Sequence, residues 1–134
     1  MKLFKRTGVG VDLGTSSTLV YVAPGGVVLT EPSVVALDRV SGRVIAVGEE
    51  ARKRTGKAGG GVLVVRPLRE GVVHDFDATT RMLAYFFKKA VGKQIKKPMA
   101  IVCMPSGVTG AEKHCIAEAA REAGAGQAYI IEEP

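Results

Sequence analysis

The chain has no tryptophan, and aromatic residues make up only 5% of its 134 positions. That scarcity argues against a nucleic-acid surface built on stacked bases. It has two cysteines, too few for a disulfide framework. Cys103 lies in an apolar run and Cys115 in a helical pattern, so both read as small buried hydrophobes of a reducing cytoplasm. His74 and His114 have no partners at metal-ligand spacing and read as structural or solvated residues. No apolar stretch approaches the roughly 18 residues of a spanning helix, and the N-terminus lacks the apolar centre of a signal peptide, so a soluble or membrane-peripheral protein is expected.

Hydrophobic residues account for 46% of the chain and charged residues for 24%, ordinary values for one globular domain with a real core. The net charge of +6 invites a polyanion as partner. Its distribution points elsewhere. The cations fall in three separate groups, Lys2, Lys5 and Arg6, then Arg52, Lys53, Arg54 and Lys57, then Lys88, Lys89, Lys93, Lys96 and Lys97. None is interleaved with aromatics, and solvated helix faces account for the last two, so no nucleic-acid partner is expected.

The most informative stretch is Val9 to Val22, in which two apolar runs flank Asp12-Leu13-Gly14-Thr15-Ser16-Ser17-Thr18. This is the pattern of a buried β-hairpin with a polar turn. Gly14 can take backbone angles closed to other residues, and the small residues after it leave successive amides free to converge on one anion. Asp12 would offer a hard carboxylate beside a phosphate-bound magnesium. The same spacing also suits an ordinary hairpin.

Ahead of it, Met1 to Thr7 alternates apolar and basic residues. Leu3 and Phe4 can dip into an anionic membrane surface between cations, or the segment is simply a frayed terminus. After the hairpin, Gly25-Gly26 signals a turn and Val27 to Leu29 a third strand, with Glu31-Pro32 expected to break the sheet. Short runs at Ser33–Leu37 and Val44–Val47 flank a polar turn, Glu49 to Thr55 suits one or two helical turns, and Val62 to Val65 reads as a buried strand closed by Arg66-Pro67. Asp75 or Asp77 can cap a helix to about Val91, with Met82, Leu83, Phe86, Phe87 and Ala90 on one face. A strand at Met99–Met104, a helix opened by the Thr109/Glu112 capping box and ended near Gly124, and a buried strand at Ala128–Ile131 complete the pattern. Strand, helix, strand implies parallel crossovers in an α/β sheet, with the first turn at the carboxyl edge where such sheets collect ligands.

The runs V-D-L-G-T-S-S-T-L-V-Y-V, E-P-S-V-V-A-L-D, A-V-G-E-E-A, V-R-P-L-R-E-G-V-V-H-D-F, M-P-S-G-V-T and I-I-E-E-P together resemble the MreB/Mbl family of bacterial actin homologues, across essentially the whole chain. The resemblance implies an α/β, actin-like (ribonuclease H-like) ATPase fold, first half only: a mixed sheet with flanking helices and a small inserted subdomain. Residues 1–30 and 71–134 would form subdomain IA and residues 31–70 subdomain IB, with IIA and IIB outside these 134 residues. It further implies ATP and Mg2+ as cofactors, Gly14, Thr15, Ser16 and Ser17 as the first phosphate loop, and Asp12 as a magnesium residue acting through water. Glu133 would be the catalytic residue that orients the attacking water. Ser17 stands where the family usually has asparagine.

Implied partners are other copies in filaments, the inner face of the cell membrane through Leu3, Phe4 and the loop near Gln94-Ile95-Lys96, and the machinery of cell-wall synthesis. The implied location is cytoplasmic and membrane-peripheral. The whole would be a cytoskeletal ATPase maintaining rod shape, active only if the rest of the fold is present. The alternative is a non-catalytic filament-interaction or assembly module. A chaperone or sugar kinase of the same superfamily shares the Asp-x-Gly-Thr loop but not the segment from Arg66 to Phe76.

Overall fold

In the computed structural model the β1 strand Gly8–Leu13 and the β2 strand Ser17–Val22 form the expected antiparallel hairpin, with Leu13 opposite Thr18. The structure describes residues 8–22, 26–54, 60–92 and 97–133. Leu3, Phe4 and the Gln94–Lys96 loop lie outside them.

Strand β3, Gly26–Pro32, pairs antiparallel with β2 and runs through the Glu31-Pro32 pair that was expected to end it. The reason is position. β3 is an edge strand, and Pro32 faces Ser17 where the neighbouring ladder bond is supplied by the Ser33 amide to the Ser16 carbonyl (2.9 Å), so no Pro32 N–H is needed. The chain then builds a second sheet from β4, Val35–Asp38, β5, Val44–Val47, and β6, Val62–Val65, in the order β5-β4-β6. Between β4 and β5 the Asp38 carboxylate accepts from the amides of Val40 (2.9 Å) and Ser41 (2.8 Å), an Asx-type turn. Those bonds hold its carboxyl below the ordinary aspartate range. A one-turn helix α1, Glu49–Arg52, follows β5, acidic residues first and Arg52 last. Val62–Val65 is less buried than its apolar composition suggested, because β6 is also an edge and Leu63 is exposed.

A short hairpin comes next, β7, Leu68–Arg69, and β8, Val72–Val73. Its turn residues Glu70 (φ 52°) and Gly71 (φ 83°) both have positive φ, as two-residue hairpin turns of the I′ kind require. Helix α2, Phe76–Val91, is capped by Asp75, which accepts from the Ala78 amide at 2.9 Å. Strand β9, Met99–Met104, lies parallel to β1, and helix α3, Gly110–Glu122, opens with the Thr109/Glu112 capping box. Strand β10, Gln127–Glu132, lies parallel to β9. The main sheet therefore has the order β10-β9-β1-β2-β3.

One face of that sheet is the core. Val9, Val11, Leu13 and Val20, with Ala100, Val102 and Met104, meet Met82, Leu83 and Phe86 of α2 and Ile116, Ala119 and Ala120 of α3. Period-two burial on the strands and period-3.6 burial on the helices meet there. The second sheet shares this core through Val35 and Val47, while Ala36 on its other face packs with Ala51 of α1. The opposite face of the main sheet is open: Tyr21, Ile101, Tyr129 and Ile131 are exposed. Thus β10 is not the buried strand expected from its composition; it is a sheet edge covered on one side only.

The two sheets are braced by Glu31, whose carboxylate is buried. It accepts from the Glu49 amide (2.9 Å) and pairs with Lys89 of α2 (2.5 Å). This contact also pushes the Lys89 ammonium pKa up, mainly through its hydrogen bond to Glu31.

Candidate functional site

Because β1, β9 and β10 run parallel, their carboxyl ends lie along one rim, and the turn after β1 sits on it. Alternation along β1 buries Val11 and Leu13 and turns Asp12 to the open face. There Asp12 is in register with Cys103 of β9, which is in register with Ile131 of β10. Glu133 follows at the end of β10, its amide bound to the Met104 carbonyl at 2.8 Å.

The two adjacent glutamates have different surroundings. Glu132 accepts from the Gly107 amide (3.1 Å) and pairs with Lys113 of α3 (3.2 Å), and these contacts lower its pKa. Glu133 instead meets Asp12. A shared hydrogen bond and the like charge of Asp12 push the Glu133 carboxyl above the usual glutamate range, as two carboxyls sharing one proton do. The Cys103 thiol is pushed up by burial first and then by Asp12 and Glu133, which leaves it protonated and unreactive. The donor set, two hard carboxylates side by side, fits a hydrated divalent cation of the magnesium type. Among the described residues no group of three or more His, Cys, Asp or Glu side chains forms a metal cluster.

Gly14 is required for a reason other than the one its backbone freedom suggested. Its φ is not among the positive ones. Instead, its amide donates to the Ser17 carbonyl at 3.1 Å, and a Cβ on it would lie 2.5 Å from that oxygen. The turn is too tight for any side chain there.

Three donor residues fix the turn from behind. Arg66 donates through Nη1 to the carbonyls of Thr15 (3.1 Å) and Ser16 (3.3 Å), the Ser33 amide also reaches the Ser16 carbonyl (2.9 Å), and the Glu70 amide donates to the Thr15 hydroxyl (2.9 Å). Beneath them the hydroxyls of Thr18 and Ser33 share a buried hydrogen bond of 2.7 Å. The amides of Thr15 and Ser16 have no protein acceptor among the described residues, and Ser16 is exposed. A turn whose carbonyls are taken and whose amides are free is suited to an anion.

The sequence-predicted residues Asp12, Gly14, Thr15, Ser16, Ser17 and Glu133 thus lie on one rim. Arg66, Glu70, Ser33 and Thr18 were not singled out. In the sequence Arg66 marks only the end of a strand, and the one signal for Glu70 is the adjacent Gly71.

The MreB/Mbl protein family model matches residues 6–134. The chain belongs to the MreB/Mbl family. Among relatives, the chain is similar to the cell shape-determining protein Mbl of Bacillus subtilis (46% identical over 127 residues) and to the cell shape-determining protein MreB of Escherichia coli K12 (41% over 132 residues). Both alignments cover 94% of this chain, and the chain spans only 38% of the length of those relatives. Among solved structures, MreB5 of Spiroplasma citri bound to ADP superposes with a TM-score of 0.85 at 35% identity, over 96% of this chain and 38% of the other. The MamK double helical filament superposes with a TM-score of 0.82 at 26% identity, over 97% of this chain and 42% of the other. The α/β architecture is accordingly that of part of an actin-like MreB/Mbl protein.

Proposed function

We propose that the chain carries the phosphate and magnesium side of an ATP site in an actin-like cytoskeletal protein that forms filaments under the membrane and directs cell-wall synthesis and rod shape. The observation that carries this reading is the rim itself, where the Thr15 and Ser16 amides, without a protein acceptor among the described residues, lie beside the Asp12–Glu133 carboxyl pair. The similar MreB5 structures with bound ADP and AMPPNP support it, and the MamK filament supports self-association.

In this reading the turn amides and the Thr15 hydroxyl bind phosphate oxygens. Asp12 would hold a hydrated magnesium, which would neutralise phosphate charge, and Glu133 is placed to accept a hydrogen bond from the attacking water. Water activation by Glu133 needs its carboxylate form. Residues 1–30 and 71–134 correspond to subdomain IA and 31–70 to IB, the second phosphate loop and adenosine pocket being supplied by IIA and IIB of a longer chain. Leu3 and Phe4 insert into the inner membrane surface, giving a cytoplasmic, membrane-peripheral location.

High-speed sedimentation of a chain extended to the length of its relatives tests the assembly. Pelleting that needs Mg-ATP and is lost with Asp12→Ala is expected, and equal pelleting of both proteins would count against it. Liposome flotation tests the terminus: unchanged flotation after Leu3→Ser with Phe4→Ser removes it from the membrane contact. The exposed apolar face with Tyr21, Ile101, Tyr129 and Ile131 favours one alternative, a non-catalytic assembly module that docks on another copy. Co-pelleting with a longer relative in the absence of any nucleotide affinity would select that alternative.

A further inference from the structure

We propose that Arg66 is a positioning residue for the phosphate turn: it sets the direction of the anion-binding amides without touching the anion. The inference rests on the phosphate reading of that turn. Across a trans peptide the C=O and the following N–H point in opposite directions. Holding the Thr15 carbonyl therefore aims the Ser16 amide away from Arg66, and holding the Ser16 carbonyl aims the Ser17 amide the same way. Arg66 Nη1 reaches both oxygens, at 3.1 and 3.3 Å. The Ser16 carbonyl has a second donor, the Ser33 amide, but Arg66 is the only described partner of the Thr15 carbonyl.

The base of the Arg66 side chain is itself well fixed. It lies between β6, paired with β4, and Pro67, which is buried and whose carbonyl accepts from the His74 amide at 2.9 Å. A planar guanidinium on such a base delivers its donors in a fixed fork, which an ammonium does not. Its charge also favours anion binding on the far side of the turn. Pre-aiming two amides removes an ordering cost that binding would otherwise bear.

Amide-resolved NMR of the purified chain and of its Arg66→Gln and Arg66→Lys variants tests this, with inorganic pyrophosphate and magnesium as the probe. In the free proteins, the 15N heteronuclear NOE of the Ser16 and Ser17 amides should fall in Arg66→Gln and recover in part in Arg66→Lys, while Val20 and Val102 keep wild-type values. On titration, pyrophosphate should shift the Thr15–Ser17 amides of the wild type, and its affinity should drop on the order of tenfold in Arg66→Gln, with partial recovery in Arg66→Lys. Unchanged order at Ser16 and Ser17 in Arg66→Gln would overturn the proposal, as would unchanged pyrophosphate affinity. A wild type whose turn amides ignore pyrophosphate would instead refute the phosphate reading, and the order measurement on the free proteins would still decide the role of Arg66.

Discussion

Replacing Gly48 with alanine should be among the most damaging small changes in the chain. Gly48 has φ 68° and ψ −133°, a region that side chains avoid, and forcing alanine into it costs about 1–3 kcal/mol. Sterics add to this. A Cβ at Gly48 would lie 2.0 Å from Oε1 and 3.0 Å from Cδ of Glu31, so the carboxylate must swing aside. That movement breaks the 2.9 Å bond from the Glu49 amide, a charge-assisted contact contributing about 1.5–3 kcal/mol. It also disturbs the Glu31–Lys89 pair, whose lysine is half exposed, adding less than about 1 kcal/mol after screening. The sum, about 2.5–7 kcal/mol, is a large share of the roughly 5–15 kcal/mol that holds a domain folded. With a urea slope of about 1–3 kcal/mol per molar, the unfolding midpoint should fall by about 2 M. A double-mutant cycle separates the two causes. In a Glu31→Ala background the obstacle is gone, and Gly48→Ala should cost only the backbone strain. A midpoint within about 0.3 M of wild type, or an equal cost in both backgrounds, would refute the reasoning.

The Asp12–Glu133 pair predicts a pH dependence. The folded pKa of Glu133 is raised above its ordinary 4.5, so its contribution to stability is present below that value and lost as pH rises through the folded pKa. Asp12→Asn should therefore raise the melting temperature at neutral pH, with the gain shrinking as pH falls through the raised folded pKa toward 4.5; thermal melts showing a constant difference across pH would contradict this. Millimolar magnesium should stabilise the wild type more than Asp12→Asn in the same melts. At the buried Thr18–Ser33 hydroxyl pair, Thr18→Val alone should cost about 1–3 kcal/mol in urea unfolding by stranding one hydroxyl, and adding Ser33→Ala should recover part of the loss. A double mutant less stable than Thr18→Val would argue against the pair as the cause.

The elements written in strong local signals were legible. Apolar spacing from Met82 to Phe87 marked the buried face of α2, Thr109 with Glu112 marked the start of α3, and alternation marked the first hairpin. What local pattern cannot encode is neighbourhood. Val62–Val65 and Gln127–Glu132 have the composition of interior strands, yet each lies at a sheet edge, and only the strand order decides how much of an apolar side chain is covered. Pro32 looked like a breaker and is tolerated because β3 is also an edge. The Glu70-Gly71 turn was missed because glutamate rarely takes positive φ. At the site, Asp12 and the Gly14–Ser17 turn announced themselves by residue type. Their support did not, because Arg66 is separated from Thr15 by 51 positions in sequence and reaches it only through the folding of the second sheet. The resemblance already points to Glu133 rather than Glu132; the physical difference between them lies in strand alternation, which brings one to Lys113 and the other to Asp12.

The central claim is that the rim formed by Asp12, the Gly14–Ser17 turn and Glu133 binds magnesium and nucleotide phosphates. Calorimetric titration of Mg-ATP into the wild-type chain and into Asp12→Ala tests it most directly. The account predicts saturable binding by the wild type and affinity weakened on the order of tenfold or more in the variant; equal affinity in the two proteins, or no binding by the wild type, would contradict it.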